Sequence, residues 1–235
     1  MKITGFSPEE IIDKCIRLAE GKKVESVVTL NSLMLRQSWH NPELKEALRQ
    51  ASFVICDSIG IQLIFLITRG RLFCRYPGVE LMEELAKRGL KSFFIGGRKG
   101  VALKASGKLS EKYPGADICA VRDGYFKKHH EVEIIREINC KKPQVVFIGV
   151  GIPKQEIFIN RIREKIDRGL LMGVGGSFDV LSGSISRAPA VFINTGMEWS
   201  WRLFLQPRRI TRILELPVFV LETIWRTFKG KNFFE

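Results

Sequence analysis

A carboxylate placed directly after an apolar β-branched run stands where a sheet opens to solvent, and Asp57, following "FVIC", is such a residue. Beside a low-dielectric wall a carboxylate can be tuned to take a proton from an alcohol in a transition state. A helix N-cap ahead of "SIGIQLIF" is an equally weighted role for it, and the two are compatible. Asp123, in "RDGYF", reads as a turn residue, and Asp179 is the third acid at such an exit. The three histidines offer little: His40 lies beside a polar turn, and His129 and His130 fall in the charged run "FKKHHEVE", which reads as a solvated helix start. No Asp-X-Asp occurs, so the usual carboxylate clamp for a metal-bound diphosphate is missing, and neither a metal nor a resident cofactor is expected. Without a metal, a departing nucleoside diphosphate must be stabilised by cations and amides. Arg75 in "CRYPG" and Arg202, Arg208, Arg209 and Arg212 near the C-terminus are the cations to consider.

These residues need a scaffold, and the sequence describes one. Short β-branched apolar runs at 26–30, 53–56, 92–95, 118–121, 145–148 and 170–174 read as strands. Amphipathic stretches at 42–50, 79–88, 101–112 and 132–140 read as helices between them, and "SPEE" at 7–10 is a capping box with Pro at the first helical position. Strands alternating with helices predict an α/β fold, a Rossmann-like parallel sheet with helices on both faces. Ligands bind such sheets beyond the carboxyl ends of the strands. Six exits in succession carry Gly or short polar residues: Thr29 and Asn31; Asp57 and Ser58; Gly96, Gly97 and Arg98; Arg122 and Asp123; Gly149, Gly151 and Gln155; Gly175, Gly176, Ser177 and Asp179.

Three of the exits, "FFIGGRKG", "FIGVGIPKQE" and "GVGGSFD", are glycine-rich turns leading into a helix, where backbone amides suit phosphate. None completes G-x-G-x-x-G, since Lys154 stands where the third Gly of "GVGIPK" would be. A nucleotide or sugar nucleotide is therefore expected, and a dinucleotide-dependent oxidoreductase is the rival from another class.

Composition sets the remaining bounds. A chain of 235 residues holds one large α/β domain with an appendage, expected as a core over 1–189 and a helical tail over 190–235. A net charge of +13 calls for anionic partners. The basic residues are spread along the chain without a recognised nucleic-acid motif, which argues against a nucleic-acid partner. Five cysteines without metal-ligand spacing read as small buried residues in a reducing compartment. The N-terminus has no apolar stretch of a signal peptide, and no apolar run is long enough to span a bilayer.

The tail "NTGMEWSWRLFLQPRRITRILELPVFVLETIWRTF" holds three of the four Trp, and residues 187–235 carry eight Arg or Lys against four Glu. Gln206–Pro207 reads as one helix start and Pro217 as another, which predicts three short helices linked by kinks. Trp199, Trp201, Phe204, Phe219 and Trp225 with arginines suit an anionic membrane boundary, or else the core of a docked helical subdomain.

Taken in order, "VVTLNSLML", "ASFVICDSIGI", "RYPGVELM", "FFIGG", "IGVGIPKQE", "GVGGSFDVLSGSISRAP" and "EWSWRLFLQPRR" resemble the WecG/TagA/CpsF glycosyltransferases, over about residues 27–212. The resemblance implies an inverting, metal-independent transferase. It would move N-acetylmannosamine from UDP-ManNAc to the 4-hydroxyl of GlcNAc in undecaprenyl-diphosphate-GlcNAc, in teichoic acid or related surface polysaccharide synthesis. It implies Asp57 as the general base, with Thr29 and Asn31 lining its pocket. Arg75 and Gln155 would hold sugar and phosphate. Gly96, Gly97, Gly149, Gly151, Gly175, Gly176 and Asp179 would face the nucleotide, and Arg202, Arg209 and Arg212 would complete the site over the diphosphates. Donors vary within the family (the uronic acid of ManNAc, glucose, other hexoses), and no single residue here decides between them. With a polyprenyl-diphosphate acceptor implied, the tail is expected on an anionic membrane surface, the protein peripheral on the cytosolic face of the cell membrane. A homo-oligomer stays open.

Overall fold

Six runs rich in Val, Ile, Leu and Phe are extended and pair side by side, all parallel, in a computed structural model that describes residues 5–70, 72–205, 207 and 210–230. The strands are β1 (Val24–Leu30), β2 (Phe53–Cys56), β3 (Ser92–Gly96), β4 (Ile118–Arg122), β5 (Val145–Gly149) and β6 (Gly169–Gly173), in the spatial order β2-β1-β6-β5-β3-β4. This is the Rossmann-like α/β sheet that the alternating pattern predicts. Parallel strands require helical crossovers on the faces, so their side chains are apolar on both sides. Alternation then deals neighbours to opposite layers. Phe94 and Phe147 point to one core, shared with α1 (Pro8–Glu20), α5 (Gly78–Lys87), α6 (Val101–Lys112) and α9 (Ser177–Leu181). Phe93 and Val146 point to the other, beneath α7 (Glu131–Lys141) and α8 (Lys154–Ile162). The capping box opens α1 as expected, with Ser7 Oγ accepting from Glu10 N and Glu10 Oε2 accepting from Ser7 N at 2.8 Å.

On the second face the left end of the sheet carries α2 (Ser32–Ser38), α3 (Pro42–Arg49) and α4 (Ile59–Arg69), and the tail docks there. The tail comprises α10 (Ala190–Asn194), α11 (Glu198–Leu205) and α12 (Ile210–Phe228). Here the structure corrects the expected kink: Pro217 does not start a helix but lies inside the 19-residue α12. An interior Pro removes one helical hydrogen bond and costs about 3 kcal/mol. The helix is docked on both sides of the Pro. Phe219 is 1 % exposed and stacks on Trp39 at 5.6 Å, and the Arg36 guanidinium forks to Glu222 (3.0 and 3.3 Å) and reaches Glu215 at 3.1 Å. Arg226 also lies over the Trp39 ring, 4.3 Å from its centroid. Phe219 is thus core, while Trp199, Phe204 and Trp225 are exposed.

The five cysteines are all unpaired; Cys15 and Cys56 are buried as expected, Cys74 and Cys119 are half-buried, and Cys140 on α7 is exposed. Burial pushes the Cys56 thiol up to about 12, with the neighbouring Asp57 charge adding to the shift.

Candidate active site

The exits of β1 and β2 meet through their main chains. Asp57 N donates to Leu30 O at 3.0 Å, and the chain after α4 returns so that Tyr76 N donates to Cys56 O at 2.8 Å, which pairs Arg75 beside Cys56. The return brings the N-terminus of α5 to the carboxylate: Gly78 N donates to Asp57 Oδ1 at 2.8 Å. Gly78 also lies flat on Thr29, where a Cβ would come 3.1 Å from Thr29 Oγ1. Thr29 Oγ1 in turn donates to Gly173 O at 3.2 Å. Asn31 caps α2, its Oδ1 accepting from Met34 N at 3.0 Å. The N-cap position of α4 is Ser58, one residue past Asp57. Ser58 braces the neighbouring exit instead, its Oγ accepting from Ser32 N and lying 3.2 Å from Ser32 Oγ. Thr29, Asn31, Asp57 and Arg75 are in this way brought to one end of the sheet. The Arg75 guanidinium donates to Ile193 O at 2.6 Å, so it joins that end to the tail.

The glycine-rich exits form the adjoining half of the rim. Gly96 and Gly149 face each other across β3 and β5 and are roofed by Phe178; a Cβ on either would come within 2.6–2.7 Å of that ring or of neighbouring backbone. Gly151 (φ 85°) and Gly175 (φ 51°) border open space and need glycine for their backbone angles alone. Their amides are engaged within the protein: Gly151 N and Gly175 N both donate to Gln155 Oε1, and Gly97 N donates to Gly149 O. Gly176 caps α9, whose first turn holds the half-buried Asp179. At the far end Asp123 accepts from Gly100 N at 2.8 Å, a bond across to the loop after β3 rather than within its own turn, and Arg98 is exposed. His130 Nδ1 accepts from Lys127 N at the start of α7.

Arg209 lies outside the described residues, as do Arg208 and Gln206; Arg202 and Arg212 fall within α11 and α12, but their side chains are outside the description. Among the described residues no group of three His, Cys, Asp or Glu is arranged to hold a metal ion.

Sequence reasoning passed over Gly78, the Ser32–Ser58 brace and Glu156. "RYPGVE" contains a usable signal for the first, since Pro-Gly before an amphipathic run marks a helix start brought close to another chain segment. Glu156 is 3 % exposed and accepts from Gln155 Nε2 at 2.6 Å. Burial raises its carboxyl to about 7, opposed by the Gln155 bond and by a bond to its own backbone. An acid whose folded pKa lies above its ordinary 4.5 holds its proton more firmly folded than unfolded. Stability is therefore full below about 4.5 and falls as pH rises towards 7, by a total on the order of 3 kcal/mol. Glu156→Gln mimics the protonated acid, so its melting temperature should fall less than wild type's between pH 5 and 8. Parallel profiles would show that this carboxyl does not set the slope.

A family model described as "Glycosyl transferase WecG/TagA/CpsF family" matches residues 1–233. A protein of Bacillus spizizenii named N-acetylglucosaminyldiphosphoundecaprenol N-acetyl-beta-D-mannosaminyltransferase is 33% identical over 198 residues, 83% of this chain and 76% of that one. A protein of the same name from Bacillus subtilis is 31% identical over 218 residues, 91% of this chain and 84% of its own.

Proposed function

The chain belongs to the WecG/TagA/CpsF family of glycosyl transferases, and from that premise we propose that it moves N-acetylmannosamine from UDP-ManNAc to the 4-hydroxyl of GlcNAc on undecaprenyl diphosphate. The acceptor and sugar are those in the two relatives' names. The observation that carries the reaction is Asp57, anchored by Gly78 N at 2.8 Å and set beside Thr29 where β1, β2 and α5 converge. In this reading the acceptor oxygen attacks the anomeric carbon from the face opposite the phosphate, which inverts the centre. The bond from carbon to the β-phosphate oxygen breaks, UDP departs with the electron pair, and the hydroxyl proton passes to Asp57. Arg75, already at the seam with the tail, and Arg202, Arg209 and Arg212 offset the charge that develops on the diphosphate.

UDP release from UDP-ManNAc with a GlcNAc-diphosphate-lipid acceptor, in EDTA, tests the reaction and its independence of metal together. Turnover restored only by a divalent cation would overturn the second part. Turnover only with another UDP-hexose would keep the site and change the donor.

We further propose that the tail holds the protein on an anionic membrane, at the cytosolic face where UDP-sugars are found. α12 buries Phe219 and Thr223 on one side, while Val218, Leu221, Ile224, Trp225 and Phe228 form an outward apolar stripe at helical spacing. α4, against which α12 packs, adds exposed Leu63, Leu66 and Ile67. No helix among the described residues is long and apolar enough to cross a membrane. A stripe of this kind with basic neighbours matches an interfacial helix. Leu221→Glu with Trp225→Glu removes about 1.5 kcal/mol of interfacial burial per residue, about tenfold each in partition. Sedimentation with phosphatidylglycerol vesicles should fall accordingly, and turnover of the lipid-linked acceptor with it, while a water-soluble acceptor is used as before. Unchanged sedimentation would remove the tail from the membrane.

A further inference from the structure

A carboxamide whose oxygen takes two amides has only its nitrogen left to satisfy, and in this fold that nitrogen meets a carboxyl. Gln155 is 2 % exposed. Its Oε1 accepts from Gly151 N at 3.3 Å, in the loop after β5, and from Gly175 N at 3.0 Å, in the loop after β6. Two backbone donors on one atom identify that atom as the oxygen, so the nitrogen must be the end that donates to Glu156 Oε1 at 2.6 Å. Both side chains press on β6: a Cβ at Gly173 would come 2.7 Å from Gln155 Nε2 and 3.2 Å from Glu156 Oε1. The carbonyl of Gly173 is the acceptor of Thr29 Oγ1, so the pair lies between the glycine loops and the Asp57 side of the rim.

A buried carboxyl is costly unless it is bonded or neutral. Glu156 forms no ion pair with any described residue, and its Oε2 is buried without a partner. One turn along α8, Asn160 Oδ1 is also a buried acceptor without a donor. An apolar side chain of equal length would fill this place without that cost. What the carboxyl adds beyond an apolar side chain is the bond to Gln155 and one to its own backbone.

We propose that Glu156 is a positioning residue of the transferase: its carboxyl holds the Gln155 carboxamide so that one oxygen fixes the Gly151 and Gly175 loops at the spacing that receives the donor's diphosphate. The ligand in this statement rests on the donor reading above; the clamp does not.

Wild type, Glu156→Gln and Glu156→Met are compared by amide hydrogen exchange at Gly151 and Gly175, by calorimetric titration with UDP, and by kcat and KM for UDP-ManNAc. Gln keeps an acceptor for Gln155 Nε2, so both glycine amides stay protected and UDP affinity stays within about twofold, less than the worth of one hydrogen bond. Met removes the acceptor, so both amides exchange faster together and UDP binds about tenfold more weakly, the equivalent of one such bond. The loss falls on KM more than on kcat. Exchange and UDP affinity unchanged in Glu156→Met, or lost equally in both variants, would make the carboxyl an ordinary part of the core and overturn the proposal. Should Glu156→Met not fold, Glu156→Asp withdraws the carboxyl by one methylene; faster exchange at both glycines supports the clamp and unchanged exchange overturns it. If wild type binds no UDP, the donor reading fails while the exchange data still decide the clamp.

Discussion

Asp57→Asn should lower turnover of UDP-ManNAc with a GlcNAc-diphosphate-lipid acceptor by about a thousandfold, within the range ascribed to general base catalysis. The substitution is nearly isosteric, and the Asn Oδ1 still accepts from Gly78 N, the bond that seats the side chain at 2.8 Å. Fold and donor affinity should therefore be preserved, so the loss should fall on kcat and kcat/KM alike. UDP titration and a thermal melt check the first two; steady-state kinetics check the third. An Asn variant that retains more than about a tenth of the rate would be outside what a lost base allows, and the proton would then need another acceptor. A variant that also loses UDP binding would place Asp57 on the donor rather than the acceptor.

Gly96→Ala should destabilise the protein by about 3 kcal/mol, the upper end of the cost of overpacking. The added methyl would come 2.6 Å from Gly149 O, 2.8 Å from Gly149 C and 2.7 Å from the Phe178 ring. Two of those atoms are backbone of the strand paired in register with Gly96, so relief requires β3 and β5 to part. Gly107 is the control. It lies inside α6 with nothing within 4 Å of its would-be Cβ. The same substitution there should stabilise by about 0.5–1 kcal/mol, through helix propensity and a less disordered unfolded chain. Urea unfolding with equal slopes and opposite midpoint shifts is the expected result. A midpoint for Gly96→Ala within error of wild type would show that the strand exit can yield.

The strands were legible because each layer of a parallel sheet imposes its own local demand: β-branched runs of a few residues, bounded by Gly or polar exits. The place of Asp57 at the exit of β2 was legible for the same reason, as a charged residue at the end of an apolar run. The glycines were legible as exits but not in their use. "FIGG" and "FIGVG" carry the composition of phosphate turns, yet Gly96 and Gly149 answer to Phe178, a residue distant in sequence, and the Gly151 and Gly175 amides answer to Gln155. Glu156 follows Lys154 and Gln155 at a helix start, where an exposed acid is usual; only the fold buries it. Pro217 misled for the reason that propensity is local: the ring stack of Phe219 on Trp39 and the Arg36 fork join residues some 180 positions apart. Arg209 falls outside the described residues, and the side chains of Arg202 and Arg212 do as well.

That fork also bears on modularity. Arg36 and Trp39 grip α12 from α2 and the turn after it, and α2 begins at the residue that Asn31 caps. The C-terminal segment is consequently not an interchangeable cassette. A chimera that moved this tail, from residue 190 onward, onto another relative's core would bring neither the guanidinium that receives its two glutamates nor the indole that receives its phenyl ring, unless α2 and Trp39 travelled with it. In this chain the unit to exchange is the pair, two segments remote in sequence that hold each other.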